Sequence, residues 1–350
     1  MHNFKKVLKT VLVFGIMVAI LSLAVLALVF NGENGYYQDG NVRDAYAGTI
    51  DFFIVGASRA ERSIKPVGLD DQLGVHAYSL VGPHLTMKGR YMLLEKEMKR
   101  NPVKTVLMEM SDESLTVSRK TDGLEGDLYY VMKMNTLKEQ VTGFLSLIYP
   151  RHYPDAYVFL MKHGMSFINK LVTGEYVTFN QNSYDRKGYV PYTGKERKPM
   201  DLTAEGEQAY LDSYNTVTLE TEMNDENLYY LDKIVSLCKE YDARLILLTT
   251  TVSRMETCMV TNEQFFYDWY SQYAKDHEIE YYDMNLRRNR DKAFSDEYCF
   301  NDLYHISNKG AKPFTKELIR MMKKIDQGVP HEKLFFDSYA EYEATQSYSK

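Results

Sequence analysis

"DFFIVGASRAERSIKP" (51–66) decides how the rest of the chain is read. The apolar run Phe52–Val55 leads straight into Gly56, Ala57 and Ser58, with arginines following at 59 and 62. A short segment apolar on both faces marks a strand buried in a parallel sheet, and small residues suit a tight strand-to-helix corner. Ser58 then lies beyond the carboxyl end of a first strand, where open α/β sheets bind ligands. Two readings of it stand: a turn residue chosen for its size, or a nucleophile.

Further β-rich runs occur at "HAYSL" (76–80), "VKTVLMEM" (103–110), "ARLILLTTTV" (243–252) and "EYYDMN" (280–285). Between them lie amphipathic stretches at 86–100, 227–241 and 262–277, and "FTKELIRMMKKI" (314–325) closes the series with Leu318, Met322 and Ile325 on one stripe. Strands alternating with helices predict a three-layer, flavodoxin-like α/β fold with a five-stranded parallel sheet covered on both faces. The alternation breaks between the third and fourth strands, where 113–225 reads as an insertion with no buried strand. Within it, 142–172 looks helical in two pieces parted at Pro150 and Pro154, and 178–200 reads as an exposed, turn-rich loop. Insertions at this end of a sheet shape ligand sites. The tail 327–350 has no clear period, leaving open whether it wraps the domain or frays.

At the other terminus, "TVLVFGIMVAILSLAVLALVF" (10–30) carries no charge and has the length of a membrane-spanning helix. Lys5, Lys6 and Lys9 precede it, which predicts a cytoplasmic stretch 1–9, a retained single-pass anchor 10–30, a polar linker 31–50 and an extracytoplasmic domain 51–326. A cleaved signal peptide fits less well, because its apolar core is shorter. The net charge of −6 supplies no basic excess for a nucleic-acid partner. The 29 tyrosines suit half-buried packing or a sugar-facing groove. Cys238 falls on an amphipathic stretch and reads as core, whereas Cys258 and Cys299 fall in loops and are candidates for a disulfide. No Cys/His spacing suggests a metal site.

A serine hydroxyl needs a base to take its proton, and the base works best when a carboxylate orients it. "CFNDLYHISNKGAKPF" (299–314) supplies Asp302 and His305 after the fifth strand and before the last helix. A spacing of three lets Asp302 reach one ring nitrogen across a helical turn, leaving the other to face Ser58. Taken alone, the same pair reads equally well as a cap for the last helix.

Ser58 in a small-residue corner after the first strand, with Asp-x-x-His before the final helix, resembles the SGNH (GDSL-type) hydrolase superfamily over roughly 50–112 and 226–326. With the apolar N-terminus, "VGASRA" (55–60) looks like its exported bacterial branch, that of the teichoic-acid D-alanylation protein DltD and of proteins that modify surface polysaccharides. The resemblance implies a serine esterase or acyltransferase acting on O-acyl groups of a cell-surface glycan or wall polymer through an acyl-serine, without cofactor or metal. Ser58, Asp302 and His305 would be catalytic, and the backbone N–H groups of Ser58 and Gly82 would form the oxyanion hole. Arg59, Arg62 and His84 are candidate substrate contacts. A transferase would imply a membrane-bound O-acyltransferase as partner. The family's third-block asparagine has no counterpart in "MEMSDESL" (108–115), where Ser111 or Asp112 stands, and this keeps open an inactive glycan-binding or scaffold protein.

Overall fold

Phe52–Gly56 form β1, and every one of its residues is buried. A strand this apolar has no face to give to water, so it takes the centre of a sheet covered on both sides. In the computed structural model, which describes residues 7, 9–17, 43–116, 123–134, 136–162, 186–191, 216–294 and 297–345, β1 pairs in parallel with β2 (Ala77–Val81) on one side and β3 (Thr105–Glu109) on the other. β4 (Arg244–Thr249) and β5 (Glu280–Asp283) extend the sheet in the order β2-β1-β3-β4-β5, all parallel. The sheet matches the sequence-based expectation strand for strand, each within a few residues of its apolar run and β2 displaced by one residue from 76–80.

Side-chain alternation sorts the core into two layers. Phe53, Val55, Tyr78, Leu80, Val106, Met108, Leu245 and Leu247 face one helical layer. Phe52, Ile54, Ala77, Val81, Leu107, Ile246 and Leu248 face the other. The second layer holds α1 (Ser58–Ser63), α2 (Pro66–Leu73) and, after β5, the long α8 (Asn308–Asp326), which packs on both. The first holds α3 (Met87–Met98), α6 (Asp225–Glu240) and α7 (Glu263–His277), with the insertion helices α4 (Gly123–Met132) and α5 (Leu137–Leu147) beyond α3. Cys238 of α6 is core as expected, and burial pushes its thiol up to about 12.

The insertion forms helices after Glu109, as the sequence suggests, with α5 and a helical stretch 153–162 separated by a short 3-10 turn at Pro150–His152. Its loop is less exposed than expected at residues 186–191. Ser79 N–H donates to the Lys187 carbonyl, the Lys187 ammonium pairs with Asp70, and Tyr189 is buried. Gly188 (φ +84°) lies so close to β2 that a Cβ would come within 2.2 Å of the Ser79 carbonyl oxygen. Lys133, at the end of α4, is buried and donates to the Val81 carbonyl. Two outward-facing groups of edge strand β2, the Ser79 N–H and the Val81 carbonyl, are thereby bonded, which accounts for this polar segment being drawn in.

The described part of the tail, to Thr345, wraps rather than frays. Leu334, Phe335 and Phe336 are buried, as are Tyr339 and Tyr342 of α9 (Tyr339–Ala344). Arg290 Nη1 donates to the Tyr342 hydroxyl at 2.6 Å, and the Tyr339 hydroxyl donates to Asp283 at 2.8 Å. At the N-terminus residues 9–17 are helical, with Val11, Leu12 and Phe14 exposed. No helix among the described residues is long and apolar enough to cross a membrane. Most of the expected 10–30 anchor lies outside those residues.

Candidate active site

The corner after β1 is as tight as its composition suggests. A Cβ on Gly56 would lie 2.7 Å from the Glu109 Cβ and 2.8 Å from the Ala60 Cβ, so only glycine fits between β3 and α1. Ala57 is the helix N-cap but has no side chain to bond the first turn. Its own N–H donates to Glu109 Oε2 at 2.9 Å. Ser58, the first residue of α1, is thus presented half-buried on a fixed turn.

His305 Nε2 lies 2.9 Å from Ser58 Oγ, and its Nδ1 lies 3.0 and 3.1 Å from the two Asp302 carboxylate oxygens. Burial alone would raise the Asp302 carboxyl. The hydrogen bond and charge of His305, with the N–H groups of Tyr304 and His305, outweigh it and hold the group below its ordinary value. An ionised carboxylate only accepts, so Nδ1 carries the proton and Nε2 is left to accept from the serine hydroxyl.

Asp302 and His305 meet by a different route from the helical turn expected. Residues 301–304 form a bend, in which Asp302 Oδ1 accepts the N–H groups of Tyr304 at 2.9 Å and His305 at 2.8 Å. An aspartate that folds back on the backbone two and three residues ahead brings the imidazole over itself without a helix. The capping alternative falls away, because Ser307 caps α8 through the N–H groups of Lys309 and Gly310, both at 3.1 Å.

The other expected contacts are placed as follows. Gly82 is buried at the end of β2. The ladder alternation that begins with Phe52 N–H on the His76 carbonyl turns the Gly82 N–H toward β1 and the Val81 carbonyl outward. His84 is exposed with φ +49°, a conformation uncommon outside glycine, and the triad's hydrogen bonds do not involve it. Arg62 Nη1 donates to the Val190 carbonyl at 3.2 Å, and its Nη2 lies 3.4 Å from buried Glu61. Arg59 pairs with Asp112 at 2.9 Å, so the third-block region is occupied by an ion pair. Ser111 instead bonds within its own turn to Ser114. The Cys258 side chain lies outside the described residues, so the pairing with buried Cys299 stays an expectation.

A cleft continues from Arg59 and Asp112 along the carboxyl edge of the sheet, past Glu256 and Glu263 to Asp283 and Tyr339. Composition gave no sign of it, because its acids come from separate segments. Burial pushes the Asp283 carboxyl up to about 6, and burial together with the Asp283 charge raises Glu263 in the same direction. An acid raised in the folded state keeps its proton there after the unfolded chain has lost it. Stability should therefore fall as pH rises from about 4, the ordinary carboxylate value, toward 6. Denaturant midpoints compared with Asp283→Asn should diverge across that window; parallel curves would contradict the assignment.

No protein-family model matches the chain, and no curated protein matches it. Among solved structures, the chain is similar to one titled the lipase/acylhydrolase from Enterococcus faecalis, at 9% identity and a TM-score of 0.35, over 82% of this chain and 97% of that one. A likeness of that size leaves the function to be argued from the chain's own Ser58, His305 and Asp302.

Proposed function

We propose that this protein is an SGNH-like serine esterase or acyltransferase, anchored in the membrane and facing outward, that handles O-acyl groups of a cell-surface glycan or wall polymer. The observation that carries the reading is the continuous chain from Ser58 Oγ through His305 to Asp302, at 2.9 and 3.0 Å. As Ser58 Oγ bonds to the ester carbonyl carbon, its proton passes to His305 Nε2, and Asp302 stabilises the imidazolium. Collapse of the tetrahedral oxyanion breaks the bond to the alcohol oxygen, which leaves with the proton from Nε2. Water then attacks the acyl-serine, giving its proton to Nε2, and Ser58 departs with that proton. A sugar hydroxyl in place of water turns the same cycle into acyl transfer. The Ser58 N–H at the start of α1 and the Gly82 N–H are the proposed oxyanion donors. Arg59, Arg62 and His84 are the proposed substrate contacts.

The outward location is read from the uncharged stretch 10–30 and the lysines that precede it, whereas the glycan and an acyl-delivering membrane partner come from the resemblance to the exported SGNH branch. They are tested on the acylated surface polymer itself. Cells carrying wild type and Ser58→Ala should differ in the polymer's ester content, a decrease in wild type marking hydrolysis and an increase marking transfer. Equal content would favour a scaffold that has kept the fold. In intact cells an added protease should reach the domain, and a mature N-terminus beyond residue 30 would overturn the anchor.

A further inference from the structure

Both neighbours of Ser58 are held by carboxylates from the end of β3. Ala57 donates to Glu109 as described, and Arg59 Nη2 pairs with Asp112 Oδ1 at 2.9 Å. The Arg59 guanidinium also lies 5.4 Å from the ring centre of Tyr304, which stands between Asp302 and His305 in the chain. Arg59 and Asp112 are only 11% and 15% exposed, so water and salt screen their charges less than those of a surface pair. One guanidinium thus touches the segment after β3 and the loop that carries the base, from a position adjacent to the nucleophile.

We infer that the Arg59–Asp112 pair is a positioning device for His305: Arg59, over the ring of Tyr304, holds the base loop against the Ser58 turn, and Asp112 cancels the positive charge this brings close to the imidazole. Without Asp112, the arginine would oppose protonation of His305 just when the ring must take the serine proton. Without Arg59, the aspartate would favour protonation and hold the base in its spent form. A unit charge about 10 Å away in a partly screened site shifts an imidazole by roughly half to one pH unit, enough to read. Other charges close by include Asp302 on the loop itself, Arg254 and Glu256 on the neighbouring helix, whose cap residue Ser253 donates its N–H to the Leu303 carbonyl, Glu109 beside the Ser58 turn, and Glu263 and Asp283 in the cleft that Arg59 and Asp112 line. These stay the same in every variant below.

The effect on rate rests on the proposed esterase reading, but the effect on His305 titration does not, so the test reads both. In full-length protein, NMR titration of the His305 ring should move down by about half a pH unit in Asp112→Asn and up by a similar amount in Arg59→Met. The double variant should return near wild type, since the two charges cancel. Turnover of an aryl acetate, which lacks the glycan that Arg59 would contact, should fall about 10-fold in kcat for Arg59→Met with KM nearly unchanged, as expected when a group is misplaced. Arg59→Lys should restore the titration but only part of the rate, because a flexible ammonium is a point charge with no planar fork to meet Asp112 and Tyr304 together. Titration shifts in the same direction, or none, would overturn the inference even with a fully active enzyme. Opposed shifts in a protein inert toward esters would leave the device standing and remove the esterase reading. If Arg59→Met does not fold, the near-isosteric Asp112→Asn decides the matter through its lowered titration alone.

Discussion

Ser58→Ala is expected to fold like wild type and to lose essentially all ester cleavage, by about 10⁴–10⁶-fold, together with labelling by a fluorophosphonate probe. Alanine keeps the small volume the corner requires and removes only the oxygen that lies 2.9 Å from His305 Nε2. His305→Ala should lose nearly as much, because the serine would keep its proton. Asp302→Asn should also fall steeply: the depressed carboxylate is what keeps the Nδ1 proton on the ring, and a neutral amide imposes no such tautomer. The three variants are compared by single-turnover rates on an aryl acetate and by mass mapping of the probe adduct. Unchanged rates, or an adduct on another serine, would return Ser58 to the role of turn residue.

The largest loss of stability is expected at Glu109. Its carboxylate accepts the Ala57 N–H and lies 3.5 Å from Arg90 Nη2, both side chains being almost fully buried. Arg90 is committed on every side, donating to the Glu109 carbonyl at 2.6 Å and the Leu85 carbonyl at 3.0 Å. Burial pushes its guanidinium down from its ordinary value, and the Glu109 charge opposes that shift. Glu109→Ala strands this cation in the core and should cost about 3–5 kcal/mol in urea unfolding. Glu109→Gln keeps an acceptor for Ala57 and isolates the charge term, so it should fall between wild type and Ala. If Glu109→Ala were as stable as wild type, the carboxylate would be no brace for the nucleophile turn.

The sheet was legible because its strands are apolar on both faces, a pattern visible in Phe52–Val55 or Leu245–Leu248 without knowledge of any partner. The triad was legible in part because chain order and strand ends are sequence properties. The way Asp302 reaches His305 was not, since an aspartate that bonds the backbone two and three residues on looks, by spacing alone, like one turn of helix. Glu109 and Arg90 were invisible for a different reason. A glutamate at the end of a strand and an arginine on an amphipathic helix are ordinary surface choices, and only their meeting in the core gives them work. The cleft acids and the wrapped tail share that character: Asp283 and Tyr339 are 56 residues apart, and neither implies the other. The segment around Tyr189 looked like loop because its residues are polar, yet its backbone was needed at the edge of β2.

That edge carries a practical consequence for anyone trimming the protein. The 113–225 region looks dispensable, an appendage between two strands, and a minimal catalytic unit would naturally omit it. Yet Lys133 and Lys187, both within it, supply the donor for the Val81 carbonyl and the acceptor for the Ser79 N–H. Excision would leave β2 with an unpaired row of backbone groups, a template on which another chain can add a strand. The shortened protein would then come out of expression as aggregate rather than as a smaller soluble enzyme, and a protease nick near residue 187 would do the same to the intact one.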